Sequence, residues 1–447
     1  MAIDFNFFDE LPDNWETARV KNILDYNHHY PIGDGDHGSI KPEMYQDDGI
    51  PYLRVQNLSW GFDINYDNLV YISDEVNLAN SKSILIPDDI LIAKTGATVG
   101  KMAIIPKSMP QANTTSSVGK ITINQKLFNI KYFAYLFSSP MFQEQIKEKA
   151  YQKSAQPGFN IDDLIEFKII IPPFNAQQQI ANYLDKKTAK IDATIAKNEE
   201  LIQLLEEKRV ALINQVVTKG LNPDVPMKDS GVEWIGEIPE HWKTNKIKNM
   251  SYVKGRIGWH GLTSEEYSDE GAYLVTGTDF KEGIVDWEHC NHISYERYKQ
   301  DPNIHLKTGD LLITKDGTIG KLALIKDIPD KATLNSGIFL VRPLKDNYTN
   351  DYLYWILSSD IFVRFFDYIK TGATIAHLYQ ETFERFFFPF PHIDEQNLIV
   401  QYLNDNVSKI NLTIHKVEEN IALLEEYKTS LIHHVVTGKI DVRSEEI

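Results

Sequence analysis

Cysteine is nearly absent: Cys290 is the only one in 447 residues. One thiol excludes an internal disulfide framework, a cysteine-rich zinc site and a thiolate-bound iron–sulfur cluster, and it suits a reducing cytosol. No apolar run approaches the roughly 20 residues that a membrane helix needs. The start, MAIDFNFFDELPDNW, has no basic leader before an apolar stretch. Neither a membrane span nor a signal peptide is therefore expected, and the expected location is cytoplasmic. Positive charge is also short, with 46 Lys and Arg against 63 Asp and Glu, a net charge of −17. That balance argues against an indiscriminate nucleic-acid binder. Apolar residues are not lacking. With 42% hydrophobic and 11% aromatic residues the chain can build real cores, and its length suggests about two to four domains.

The charge is unevenly spread. Residues 1–93 hold 5 basic and 17 acidic side chains, whereas residues 94–160 hold 9 basic and only Glu144 and Glu148. Residues 307–345 hold 7 basic and 4 acidic side chains. Two local basic segments thus lie inside an acidic chain.

The chain repeats itself once. LPDNWETARVKNI (Leu11–Ile23) returns as IPEHWKTNKIKNM (Ile238–Met250), and PDDILIAKTGATVGKMAII (Pro87–Ile105) as KTGDLLITKDGTIGKLALI (Lys307–Ile325). Tyr183–Thr218 matches Tyr402–Thr437 at 19 of 36 ungapped positions. Each copy runs from short β-like segments (Ile84–Ile86, Ile90–Ala93, Met102–Ile105) through a proline-marked boundary into a long helix that a glycine ends. The helices carry a heptad seam: Leu184, Ile191, Ile195, Ile202, Leu205 and Leu212 in the first, and Leu403, Ile410, Ile414, Ile421, Leu424 and Leu431 in the second. The expected class is α+β, with two mixed domains, 1–171 and 221–390, and two long helices, 172–220 and 391–447. Antiparallel pairing of those helices would form a coiled coil and relate the halves by a pseudo-twofold axis.

The catalytic patterns are weak. Gly33–Gly38 fits G-x-G-x-x-G but has neither a clear preceding strand nor a following helical pattern. Gly96–Lys101 and Gly317–Lys321 resemble phosphate loops, yet Met102 and Leu322 follow the lysines where Ser or Thr is needed. Ile171-Pro172-Pro173-Phe174 has Ile where an amino-methyltransferase needs a hydrogen-bond acceptor. His28-His29 and His433-His434 lack metal-ligand spacing. No catalytic residue and no metal site is expected.

A binding constellation occurs twice instead. Lys94, Thr95, Thr98 and Lys101 in one copy, and Lys315, Thr318 and Lys321 in the other, surround glycines that would let backbone approach a phosphate. A tight hairpin with solvated lysines is the plainer alternative. Arg54, Gln56, Asn57, Asn113, Ser116, Gln156 and Asn335 are nearby polar candidates for base contacts, since Arg, Asn and Gln can pair bidentately with base edges.

The order of these signals resembles the DNA-specificity subunits of type I restriction–modification systems. The resemblance rests on Pro12–Trp15 and Pro239–Trp242, on Asp36-His37-Gly38, and on the glycine–lysine loops. It also rests on the proline-rich exits into Gln177 and Glu395-Gln396, and on the paired helices. It implies two target-recognition domains that each read half of a bipartite, asymmetric sequence in double-stranded DNA. The helices would set the unread gap and dock two methyltransferase subunits, which methylate adenine. Restriction subunits with translocase and nuclease activity would join. S-adenosylmethionine, ATP and Mg would belong to those partners, with no cofactor in this chain. A scaffold that never touches DNA and a self-contained methyltransferase or nuclease are the alternatives.

Overall fold

The computed structural model describes residues 11–152, 157–256, 262–369 and 377–442. The chain divides into two compact units, residues 1–198 with 419–447, and residues 199–418. Both divisions fall inside the long helices, Phe174–Lys219 and Ile393–Val436.

The first unit holds a four-stranded antiparallel sheet in the order Ile32–Asp34, Val118–Ile121, Ile90–Ala93, Met102–Ile104. A smaller sheet joins Val70–Ile72, Ile50–Leu53 and Asn113–Thr114, the last pair parallel. Glu16–Arg19 pairs with Lys168–Ile171, next to the start of the long helix. Ile130–Ser138 and Pro140–Ala150 form a helical pair whose aromatic residues fill the core. The second unit repeats this plan. Its main sheet runs Ser251–Gly255, Ile338–Pro343, Leu311–Thr314, Leu322–Leu324, and two further short strands extend it. Ala272–Val275 pairs parallel with Ala332–Leu334, and Lys243–Lys246 pairs with Phe387–Phe390. One expected strand is absent. Ile84–Ile86 makes only the isolated bridge Leu85–Ala112, because a 3-10 turn at Ser81–Ser83 precedes it and Pro87, which cannot donate to a ladder, follows.

In the first unit, Leu184 and Ile191 are buried in one core with Leu431 and Val435, and Ile195 and Leu424 pack against it. Lys428 Nζ reaches Asp192 at 2.6 Å. In the second unit, Ile213, Val216 and Val217 share a core with Ile399, Leu403 and Val407, and Arg209 donates to Asn411 at 2.9 Å. Within each unit, later residues of one helix meet earlier residues of the other, so the pairing is antiparallel. Ile202, Leu205, Leu212 and Ile421 are half-buried, and Ile410 and Ile414 are buried. Each helix therefore closes the core of both units.

His433 lies in the first of these cores. Burial, then the neighbouring His434 and Lys439, hold its pKa down to about 4. The depressed value means the folded state keeps the ring neutral while an unfolded ring protonates near 6.5. Its contribution to stability is complete above that value and is lost as pH falls through about 4. Unfolding free energy is expected to be about 2 kcal/mol lower at pH 5 than at pH 8 for this reason. His433→Leu should flatten that slope in denaturant titrations at several pH values.

The two copies differ at the entry tryptophan. In the second unit Trp242 is fully buried and its indole donates to Glu395 Oε1 at 3.1 Å, while His241 holds Oε2 at 2.9 Å. In the first unit the position of Glu395 is Ala176, and the buried Trp15 Nε1 has no hydrogen-bond partner among the described residues. A cavity of about 170 Å³ lies beside it, lined partly by Pro12, Ile180 and Gly438. Ala176→Glu is expected to stabilise the protein by about 1 kcal/mol by supplying the acceptor. The gain should vanish in a Trp15→Phe background, as read by thermal unfolding. A gain that survives there would come from the helix N-terminus instead.

Candidate nucleic-acid interface

In the first unit, three loops are laced together at the ends of the sheet strands. Gly35 N and Asp36 N donate to Thr115 O and Thr114 O, Ser116 N donates to Asp36 O, and Lys94 N donates to Ser117 O. A Cβ on Gly35 would lie 1.9 Å from the Thr114 carbonyl oxygen, so only glycine allows this crossing. Asp36 is buried and accepts from Gly38 N and Ile40 N at 2.9 Å, and from the Tyr52 hydroxyl. Burial first, then Asp36, push the Tyr52 hydroxyl pKa well above its ordinary range, so this hydroxyl remains a donor. These contacts explain the G-x-G-x-x-G spacing without a dinucleotide.

The glycine–lysine loops are hairpin turns. Gly96, Val99, Gly100 and Lys101 donate their amides within the chain, to Pro157 O, Gly96 O, Ala93 O and Thr98 O. Gly100 and Gly320 take φ of 95° and 86°, as such turns require. The backbone is therefore not an open cradle, and the side chains carry what the loops can offer.

Several expected contacts are corrected by burial. Lys94 is 5% exposed and ion-paired to Asp34. Lys315 sits 3.5 Å from Asp316 and over the Phe339 ring. Asn57 is fully buried: its carbonyl caps Arg54 N and its amide donates to Asn65 O. Asn113 is fully buried against Asn77 and Asn80. Arg54 donates to Asn68 O and stacks over Tyr45. Lys94, Asn57 and Asn113 are buried within the fold and not free for bases, whereas Arg54 and Lys315 have internal partners but are half-buried. Gln156 lies outside the described residues. Gln56, Thr318 and Lys321 are exposed, and Thr95, Thr98, Lys101, Ser116 and Asn335 are partly exposed.

The second unit builds the same cluster. Lys315 N donates to Gly337 O, Asn335 N to Val275 O, and Leu378 N to Lys315 O. Residues that sequence reasoning missed enter here: Arg256, buried with Nε on Leu334 O at 2.9 Å; His377, bound to Asp316; and Tyr379, exposed beside it. His37, on the first unit's turn, was missed as a contact although its segment stood out.

The family described as type I restriction modification DNA specificity domain matches residues 12–203 and again 239–424. The chain belongs to this family. The specificity subunit of the MjaVIII type I restriction enzyme of Methanocaldococcus jannaschii is 23% identical over 97% of this chain and 95% of its own length. A solved chain from a study of type I system assembly and conformational transition superimposes with a TM-score of 0.70 at 16% identity, covering 97% of this chain and all of that one. The HsdS subunit of Thermoanaerobacter tengcongensis gives 0.54 at 14% identity, over 97% and 99% of the two chains. The fold is thus shared, and the chain carries the type I restriction modification DNA specificity domain twice. No helix of the described residues is long and apolar enough to cross a membrane.

Proposed function

We propose that each unit reads one half of a bipartite, asymmetric target in double-stranded DNA through its loop cluster. Partner methyltransferase subunits then methylate adenine, and restriction subunits cleave unmodified DNA. One observation carries this reading: the same hydrogen-bonded loop scaffold is built twice, and the side chains it presents differ between the copies. A shared frame with divergent tips is what reading two different sequences requires. S-adenosylmethionine, ATP and Mg belong, in this reading, to the partner subunits.

The test is to co-express the chain with its methyltransferase partner and map modified adenines across host DNA. Combined Thr95→Ala, Thr98→Ala and Ser116→Ala changes are expected to alter only one half of the modified sequence. Modification at unrelated sequences by the unaltered complex would overturn the reading. Charge reversal at Lys101 and Lys321, the two loop lysines without ion pairs among the described residues, should weaken DNA binding. Unchanged binding would favour a scaffold that does not touch DNA.

A further inference from the structure

Each loop cluster contains a lysine–aspartate–histidine chain. In the first unit, Asp34 accepts from the buried Lys94 with one oxygen and lies 3.2 Å from His37 Nε2 with the other. In the second, one oxygen of Asp316 is 3.5 Å from Lys315 Nζ and the other accepts His377 Nδ1. The lysines occupy matching places, since Lys94 N and Lys315 N donate to the matching carbonyls Ser117 O and Gly337 O. The other members do not match. Asp34 pairs in register with Gly119, and the matching pair in the second unit is Gly255 with Phe339. The bridge that holds Asp316 and His377 is formed in the first unit by Thr95 and Gly158.

The same three groups are therefore assembled from different loops around one shared lysine. A purely structural contact inherited through duplication would use the same positions in both copies. The histidines also reach solvent: His37 is 77% exposed against 19% for Asp34 and 6% for Lys94, and in the second unit His377 at 33% and Asp316 at 40% are both partly exposed while Lys315 is 13% exposed. The aspartate fixes which ring nitrogen faces inward, and the other nitrogen is directed away from it. The lysine neutralises the carboxylate, so it does not repel an approaching phosphate.

Resting on the proposed reading of DNA by these loops, we infer that His37 and His377 are phosphate-contacting residues, oriented by Asp34 and Asp316. Each donates from its outward nitrogen, as imidazolium, to a DNA phosphate oxygen. Among the described residues, the charged group in contact with His37 is Asp34, which also binds Lys94 from the adjoining hairpin. In the second unit, among the described residues, His377 is bound to Asp316, which also lies beside Lys315, and the Tyr379 ring is at 4.7 Å.

The experiment measures binding of the full chain, with its methyltransferase subunits, to a target duplex and a scrambled duplex in a salt series at pH 6 and pH 8. At pH 6, His37→Gln and His377→Gln should each weaken binding on the order of tenfold and lower the slope of log affinity against log salt by about 0.9, the signature of one lost phosphate contact. At pH 8 both losses should be smaller. His37→Lys should restore the slope at both pH values. Equal losses at both pH values with an unchanged slope would overturn the inference, because a histidine that only shapes its loop behaves that way. No loss at either pH would overturn it as well. The target-to-scrambled ratio of the unaltered complex tests the underlying reading separately. If that ratio is one, specificity fails while the histidine contacts are still judged by the slope on both duplexes.

Discussion

Asp310→Ala is expected to destabilise the protein by about 3–5 kcal/mol, the range for breaking a buried charge pair by removing one member. Asp310 ends the turn before strand Leu311–Thr314 and is 2% exposed. Its two oxygens accept from Arg342 Nε at 2.5 Å and Nη2 at 2.7 Å, and one also accepts Lys307 N at 2.6 Å. Burial nonetheless raises the pKa of this carboxyl, with Arg342 as the opposing influence. The environment is therefore dry enough that each charge depends on the other. Removing the carboxylate leaves the guanidinium, among the described residues, with the His305 carbonyl, and takes the acceptor from the Lys307 amide. The unfolding midpoint should fall by roughly 10 °C for a unit of this size. Arg342→Met added to Asp310→Ala should recover much of the loss, because the orphaned charge is then gone. If the double variant were as unstable as the single one, the loss would lie in the Lys307 turn and not in the ion pair.

The sequence was most legible where one periodic pattern decides burial. The heptad positions are buried or half-buried on both helices because a 3.5-residue apolar repeat leaves each helix one face to cover. The duplicated plan was legible for a related reason: glycines, prolines and tryptophans mark element ends in both copies. The loop chemistry was less so. Lys94 is neutralised by Asp34, 60 residues earlier, and no local spacing signals that pairing. Asn57 is a cap whose burial follows from the turn it closes, and Asn113 is held by Asn77, 36 residues away. His377 reaches Asp316 across 61 residues. Lys94, Asn57 and Asn113 looked available in sequence and His377 did not stand out at all; contacts that composition does not encode decided each case.

Gln396→Leu should cost about 3 kcal/mol or more, although leucine nearly matches glutamine in volume. Gln396 is fully buried in the first turn of its long helix. Its amide donates to Pro391 O and Asn347 O, both at 2.9 Å, and its carbonyl accepts Thr349 N at 3.1 Å. Leucine would leave three backbone groups without partners in a closed core, each costing about 1–3 kcal/mol. Gln177 does the same work in the first unit with fewer bonds, donating to Pro172 O at 2.8 Å and accepting Asn129 N at 2.8 Å. Gln177→Leu is therefore expected to cost less, about 2 kcal/mol. Asn129 and Thr349 are also the caps of helices Ile130–Ser138 and Asn350–Leu357. One side chain thus joins the helix start, the proline exit and the helical pair that fills each core. Denaturant unfolding of the two single variants checks the ranking. Equal losses would mean that the bond to Asn347, the one contact of Gln396 without a counterpart at Gln177, contributes nothing.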